Sequence, residues 1–262
     1  MRRLLTLATL FASLLPLSSA AAEVSTQDNL KSAWETGGEI KLTTDITLSD
    51  NSVNGWTAGS DVTLTGSHKL VLASREVGQM ANALLYRNGK VSISDVTLQN
   101  QTGAYMIEAT SLSLSDVTIA SHSAKSATAA ECTNLTLSGT LTLDLNSPCN
   151  TLLSCSGSLT CSTDFSGITI NIGNDFSLGD NGVTYLMAFN GAAPTLEQLK
   201  CTVTGGSGQR VTIRKEQGST YLCLEAPEPG SATLTLIGLF ALLHRRRRPC
   251  SKGIHGGAYV RG

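Results

Sequence analysis

Through most of the chain aliphatic and polar residues alternate in short runs that restart every few positions. Ile40-Lys41-Leu42, Ile46-Thr47-Leu48, Val62-Thr63-Leu64, Leu70-Val71-Leu72 and Val91-Ser92-Ile93 open the series. Val96-Thr97-Leu98, Leu112-Ser113-Leu114, Val117-Thr118-Ile119, Leu135-Thr136-Leu137, Leu141-Thr142-Leu143 and Ile168-Thr169-Ile170 extend it. A period of two places aliphatic side chains on one face of an extended chain and a hydroxyl or charge on the other, which is the pattern of half-buried strands. Helical spacing is found only near Gln27 to Glu35, with Leu30, Ala33 and Trp34 on one side and Gly37-Gly38 as the stop. The chain therefore reads as all-β with one short helix near its start.

The strands repeat. Ser60-Asp61-Val62-Thr63-Leu64, Ser94-Asp95-Val96-Thr97-Leu98 and Ser115-Asp116-Val117-Thr118-Ile119 share one pattern; the last two lie 21 residues apart, and Asn134-Leu135-Thr136-Leu137 follows. A period near 20 suits one coil of a parallel β-helix, in which each coil stacks on the previous one at about 4.8 Å and stacking supplies the core. An Asp before each strand caps the turn through its carboxylate. From Phe176 the texture changes. Tyr185-Leu186-Met187-Ala188-Phe189, Cys201-Thr202-Val203-Thr204, Arg210-Val211-Thr212-Ile213-Arg214 and Thr220-Tyr221-Leu222-Cys223-Leu224 read as antiparallel hairpin strands that close the C-terminal end.

The helix from Thr26 to Thr36, followed by Glu39-Ile40-Lys41-Leu42 and Ile46-Thr47-Leu48 around a Thr-Thr-Asp turn, resembles the N-terminal cap and first coil of pectate-lyase-like and autotransporter-passenger proteins. That resemblance covers roughly residues 26–145 and implies a right-handed parallel β-helix. A helix cap is physically required there, because an open end of such a stack is an exposed sheet edge. A β-sandwich, which strands spaced every 8 to 12 residues also permit, is the alternative architecture.

Both termini read as targeting segments. Met1-Arg2-Arg3, an apolar run from Leu4 to Leu17 and Ser18-Ser19-Ala20-Ala21-Ala22 form a secretory signal peptide over residues 1–22, with cutting before Glu23. At the other end Pro227-Glu228-Pro229 precedes the apolar stretch Ser231 to Leu243, His244 and four arginines, Arg245, Arg246, Arg247 and Arg248. An apolar run of that length is short for a permanent span of a core about 30 Å thick. The arginines act as a membrane stop that stays at the cytoplasmic interface. These residues resemble the PEP-CTERM protein-sorting signal. The resemblance implies recognition by an exosortase-type membrane enzyme at Pro227, Glu228 and Pro229, and transient anchoring before delivery to the surface. The chain divides accordingly into the signal peptide, a β-helix body over 23–175, a C-terminal β cap over 176–225, the sorting segment over 226–248 and a disordered tail over 249–262.

Charge follows the same division. All 20 acidic residues but only 11 of the 19 Lys and Arg lie between Glu23 and Glu228, which leaves the exported body at −9. A body of that sign has no attraction for nucleic acid, which excludes nucleic-acid binding as a function. Six cysteines, Cys132, Cys149, Cys155, Cys161, Cys201 and Cys223, fall in the body, with Cys250 beyond the arginines. Structural disulfides and buried thiols are both open for the six, with 15 pairings if all are joined. Their spacing does not fit a zinc ribbon.

Candidate chemistry is sparse. Asp61, Asp95 and Asp116 recur, so carboxylates in one register are a conceivable calcium edge, with Arg75, Arg87 or Lys90 as the base of a sugar lyase; turn capping explains the same residues more simply. His68, His122, His244 and His255 lie in no metal-binding arrangement, and neither a nucleophile elbow nor a phosphate loop is present. Trp34 belongs to the cap's core, while Trp56, in a loop, is the candidate for stacking on a glycan. The reading is an exported, non-enzymatic surface or matrix protein with adhesive character, no cofactor and no metal, and with envelope or extracellular glycans and an exosortase as partners. A polysaccharide lyase or hydrolase on the same scaffold is the alternative.

Overall fold

The computed structural model describes residues 20–50, 54–74, 83–121, 128–149, 151–179, 181–192, 194–216 and 218–227. The expected signal peptide through Ser19, most of the expected sorting segment and the expected tail lie outside the described residues. In chain order the elements begin with β1 (Ala22–Val24), α1 (Gln27–Thr36), β2 (Gly38–Leu42), β3 (Ile46–Ser49), β4 (Trp56–Thr57) and β5 (Val62–Thr65). They continue with β6 (Lys69–Ser74), β7 (Leu85–Ser94), β8 (Thr97–Asn100), β9 (Ile107–Ala120), β10 (Ala130–Leu145), β11 (Leu153–Cys155) and β12 (Leu159–Cys161). Then come β13 (Gly167–Ile172), β14 (Val183–Phe189), α2 (Leu196–Leu199), β15 (Thr202–Gly205), β16 (Arg210–Glu216) and β17 (Ser219–Glu225).

These strands wind into a parallel β-solenoid of about five turns. The first face stacks β1, β2, β5, the end of β7, the middle of β9, β10 and β12. The second stacks β3, β6, β8 and then the ends of β9 and β10 before β13 and β15. The third stacks β4, the starts of β7, β9 and β10, then β11 and β14. Parallel stacking over all three faces excludes the sandwich.

The alternation seen in the sequence fills the interior. One column of the first face runs Ile40, Leu64, Ile93, Leu114, Leu137, each at most 1% exposed. One column of the second runs Ile46, Leu70, Leu98, Ile119, Leu143, Ile170. Each such side chain contributes roughly 1.5–3 kcal/mol by leaving water. Because each inner strand has a parallel neighbour on both sides, the core is continuous along the axis.

The expected cap is present. Thr26 opens α1, its hydroxyl accepting from the backbone N–H of Asn29 at 3.3 Å, and Gly37 at φ 82° ends it. Leu30 and Trp34 are fully buried beneath it. The C-terminal end differs in part from expectation. Among the described residues antiparallel pairing is confined to β14 with β17 and β17 with β16. β15, expected as a hairpin strand, lies parallel on β13 in the last coil, because an aliphatic–Thr alternation serves either pairing. Short α2, closed by a Thr195–Gln198 capping box, was not foreseen.

Among the described residues no helix is long and apolar enough to cross a membrane.

Candidate functional site

The recurring aspartates sit at corners, but not in one column. Asp61 opens the first face, whereas Asp95 and Asp116 open the second. The 34 positions between Asp61 and Asp95 exceed one coil, so the shared Ser-Asp-Val-Thr pattern falls on two different edges. Of the two or three carboxylates expected along one edge, Asp95 and Asp116 share a corner on neighbouring coils and Asp61 does not.

What these carboxylates do is visible in their bonds. Asp61 accepts from the backbone N–H of Lys90 at 3.0 Å and from the Arg87 guanidinium at 3.3 Å, and Asp116 accepts from the N–H of Thr140 at 2.9 Å. Asp45 does the same for Lys69 at 2.9 Å and faces the His68 ring at 3.4 Å. The backbone N–H of the next coil, chiefly, holds the Asp45 and Asp61 carboxyls below the usual carboxylate range. Asp95 and Asp116 take left-handed backbone, φ 56° and 53°, which Asp tolerates better than most residues. Arg87 also donates to the carbonyl of Ala58 at 3.0 Å, so two of its nitrogens are engaged in the corner. These groups are turn caps. Arg75 and His122 lie outside the described residues, as do Glu228, Pro229 and the four arginines; Pro227 is described and exposed.

Trp56 is not in an exposed loop. It is 0% exposed, its ring under the Lys31 ammonium at 5.7 Å and its indole N–H donating to Asp50 at 2.6 Å. It stacks in register on Leu85 at the start of the third face. A ring closed on both sides cannot stack on a sugar, so the glycan-contact expectation is corrected: Trp56 is core.

The outward surface is where ordered chemistry remains. On the second face Thr97, Thr118, Thr142, Thr169 and Thr202 are register partners on five successive coils. At about 4.8 Å per coil they form one straight row of hydroxyls and methyls along the axis. Two positions on, Asp144, Asn171 and Thr204 form a second outward row, whose earlier register partners Gln99 and Ala120 are buried. That row is tied together: Asn171 donates to Asp144 and Thr204 donates to Asn171, both at 2.6 Å.

Residues 21–142 match a family model described as "Putative pectate lyase-like adhesive domain". The match runs from β1 into the second-face part of β10, so it takes in the helix cap and the first coils but not β11 to β17. No curated protein and no solved structure matches the chain.

Within the matched span lies a cluster that the sequence did not reveal. Glu108 and Glu131 are register partners on the third face. Tyr105, one of the few large exposed hydrophobic residues at 45% exposure, sits close enough for both carboxylates to push its phenol up. Partial burial, then the Glu108 charge, raises the Glu131 carboxyl above its usual range. Two neighbouring carboxyls whose environments differ are the arrangement from which acid and base roles are drawn. Nothing in sequence marked the pair, because residues 23 positions apart become neighbours only once the coil length is known.

Proposed function

We infer that the chain is an exported cell-surface or matrix protein that adheres through the flat outer faces of its solenoid. The similarity of residues 21–142 to an adhesive domain carries this reading. The threonine row and its amide-bearing neighbour supply a regular polar surface, and the body's negative charge favours neutral or cationic glycans over anionic ones. In this reading the signal peptide exports the chain, the Pro227-Glu228-Pro229 segment is recognised by an exosortase-type enzyme, and Arg245 to Arg248 hold the apolar stretch in the membrane until processing. The test compares the full chain with one ending at Glu225, both tagged after residue 22, in envelope, surface and medium fractions. Surface display lost on truncation, together with glycan capture by the purified body, supports the reading; equal display of both chains, or a body that retains no glycan on an array, overturns it.

A second reading, glycan cleavage, is favoured by one observation: the Glu108 and Glu131 pair. A coil spacing of about 4.8 Å is nearer the roughly 5–5.5 Å separation of carboxyls in retaining glycosidases than the wider inverting gap. Glu131 would be the acid and Glu108 the nucleophile. Reducing ends released from polysaccharide by the full chain, and lost in E131Q and E108Q, would establish it. No release from any polymer that the chain binds would remove it.

A further inference from the structure

Cys132 and Cys155 are register partners on neighbouring parallel strands, β10 and β11, of the third face. Both residues are buried in the core, 2% and 1% exposed, where the Cys132 thiol meets the carbonyl of Ser154 at 3.7 Å and the Cys155 thiol those of Thr133 and Ser158 at 3.3 Å. Adjacent strands lie about 4.8 Å apart, inside the roughly 4.4–6.8 Å window between the Cα atoms of a disulfide. We propose that Cys132 and Cys155 form a cross-link site, a disulfide that fastens one coil of the solenoid to the next.

No other described cysteine has a cysteine as its strand-register partner. Cys161 is in register with Leu137, and Cys223 with Tyr185 and Thr212. Burial pushes the Cys149 thiol up to about 12 and the Cys201 thiol up to about 11. Cys155 goes the other way. Its nearness to the Cys132 thiol lowers it, against the opposing effect of burial. The thiolate is the attacking species in disulfide exchange, so the pair holds one sulfur ready.

The oxidant is a low-molecular-weight or protein disulfide, RSSR, of the kind found in oxidising compartments. Cys155 sulfur attacks one sulfur of RSSR and expels RS⁻, leaving a mixed disulfide. Cys132, giving up its proton, attacks the Cys155 sulfur and expels the second RS⁻. The two cysteines lose two protons and two electrons, and RSSR leaves as two RSH. Because both sulfurs end buried, exchange precedes the docking of β14 on β11 during folding. In the cell the step draws on the export reading, through the compartment it needs.

The test refolds the full chain in reduced and oxidised glutathione, which examines the pair whether or not export holds. Remaining thiols are blocked with N-ethylmaleimide in denaturant and the chain is cut before Asp. The expected product joins peptide 116–143 to peptide 144–163, with fragment ions placing the bond at Cys155 rather than Cys149 or Cys161. A C149A/C161A chain keeps this product. Maleimide on both Cys132 and Cys155, or a bond from Cys132 to another cysteine, overturns the proposal. A C155A chain can fail to fold through lost packing alone, so the unaltered chain carries the decision.

Discussion

The Asp116 carboxylate accepts a hydrogen bond from the backbone N–H of Thr140, its neighbour one coil further along the axis, at 2.9 Å. That N–H lies at the corner between the first and second faces, where the ladder of β9 and β10 shifts register and cannot supply a carbonyl. Asp116 therefore does two things: it satisfies an orphan donor, and it holds a left-handed turn at φ 53°. D116A loses both, at an expected cost of about 0.5–1.5 kcal/mol for the solvent-exposed hydrogen bond and a further ~1 kcal/mol for the left-handed backbone. D116N keeps an acceptor oxygen and tolerates the turn, so its urea midpoint is expected close to the parent's. Equal loss in both variants would show that the negative charge, not the cap, is what matters.

Gly139 follows from the same corner. Its φ is +53°, and a Cβ built on it would meet the Asp116 carboxylate oxygen, 2.4 Å away, well inside contact. G139A is therefore expected to destabilise both through backbone strain and by displacing the cap. In the D116A background the second penalty disappears, so the two substitutions are coupled by about 0.5–3 kcal/mol rather than additive. Urea unfolding of the four-member cycle measures this directly; additivity would mean that the carboxylate moves aside freely.

The strands, the coil and the helix cap were legible because each rests on a local signal: period two, an Asp–aliphatic repeat, and a Thr26-to-Gly37 boundary. Other features were not. The columns of Asp61 and Asp116 depended on coil length, which is 21 residues between Ile93 and Leu114 but 29 between Leu64 and Ile93. The parallel pairing of β15 depended on where the last coil ends. Trp56 read as exposed because Asn54-Gly55 marks a turn, yet the indole is covered by Lys31 and held by Asp50, both distant in pattern. Glu108 and Glu131 were missed for the first of these reasons. Sequence alternation shows which side a residue faces, while pairing partners require the length of every intervening turn.

Trp56 offers a test of that correction. W56A removes a fully buried indole at the first coil, where large-to-small changes of aromatic residues cost about 3–5 kcal/mol. W56F retains most of the apolar contact but leaves the Asp50 carboxylate without its indole partner, and is expected to fall between. Thermal melts of the three chains should show that order. Were W56A to melt like the parent while losing glycan retention, the side chain would be a surface contact after all.

Two carboxylates set opposite pH dependences. Glu225 accepts from Thr212 and Arg214, which hold its carboxyl below the usual range, with Arg210 adding a contact at 3.3 Å. A depressed folded pKa gives stability that is present above the unfolded value of about 4.3 and is lost as pH falls through the folded value. Glu131 is raised by burial and by Glu108, so its contribution is present below that unfolded value and is lost as pH rises through the folded one. E225Q should therefore flatten the acid limb of a stability profile from pH 3 to 7. E131Q should match the parent at low pH and exceed it at neutral pH. The reverse pattern would mean that the partners of the two groups are misassigned.

The threonine row separates adhesion from stability. Thr118, Thr142 and Thr169 are half-exposed, and their backbone groups, not their hydroxyls, make the ladder that holds the second face. Replacing all three by valine keeps shape and β propensity and, as surface substitutions, each should shift stability by no more than about 0.5 kcal/mol. The hydroxyl row, however, is gone over three consecutive coils. A surface that recognises glycans through repeated hydroxyl contacts should then lose most of its retention on a glycan array while its melting curve stays in place. Replacing Thr63, Thr136 and Thr160 on the first face by valine supplies the comparison. If both triple variants bind as the parent does, adhesion does not run through either hydroxyl face, and the Tyr105, Glu108 and Glu131 patch on the third becomes the surface to test.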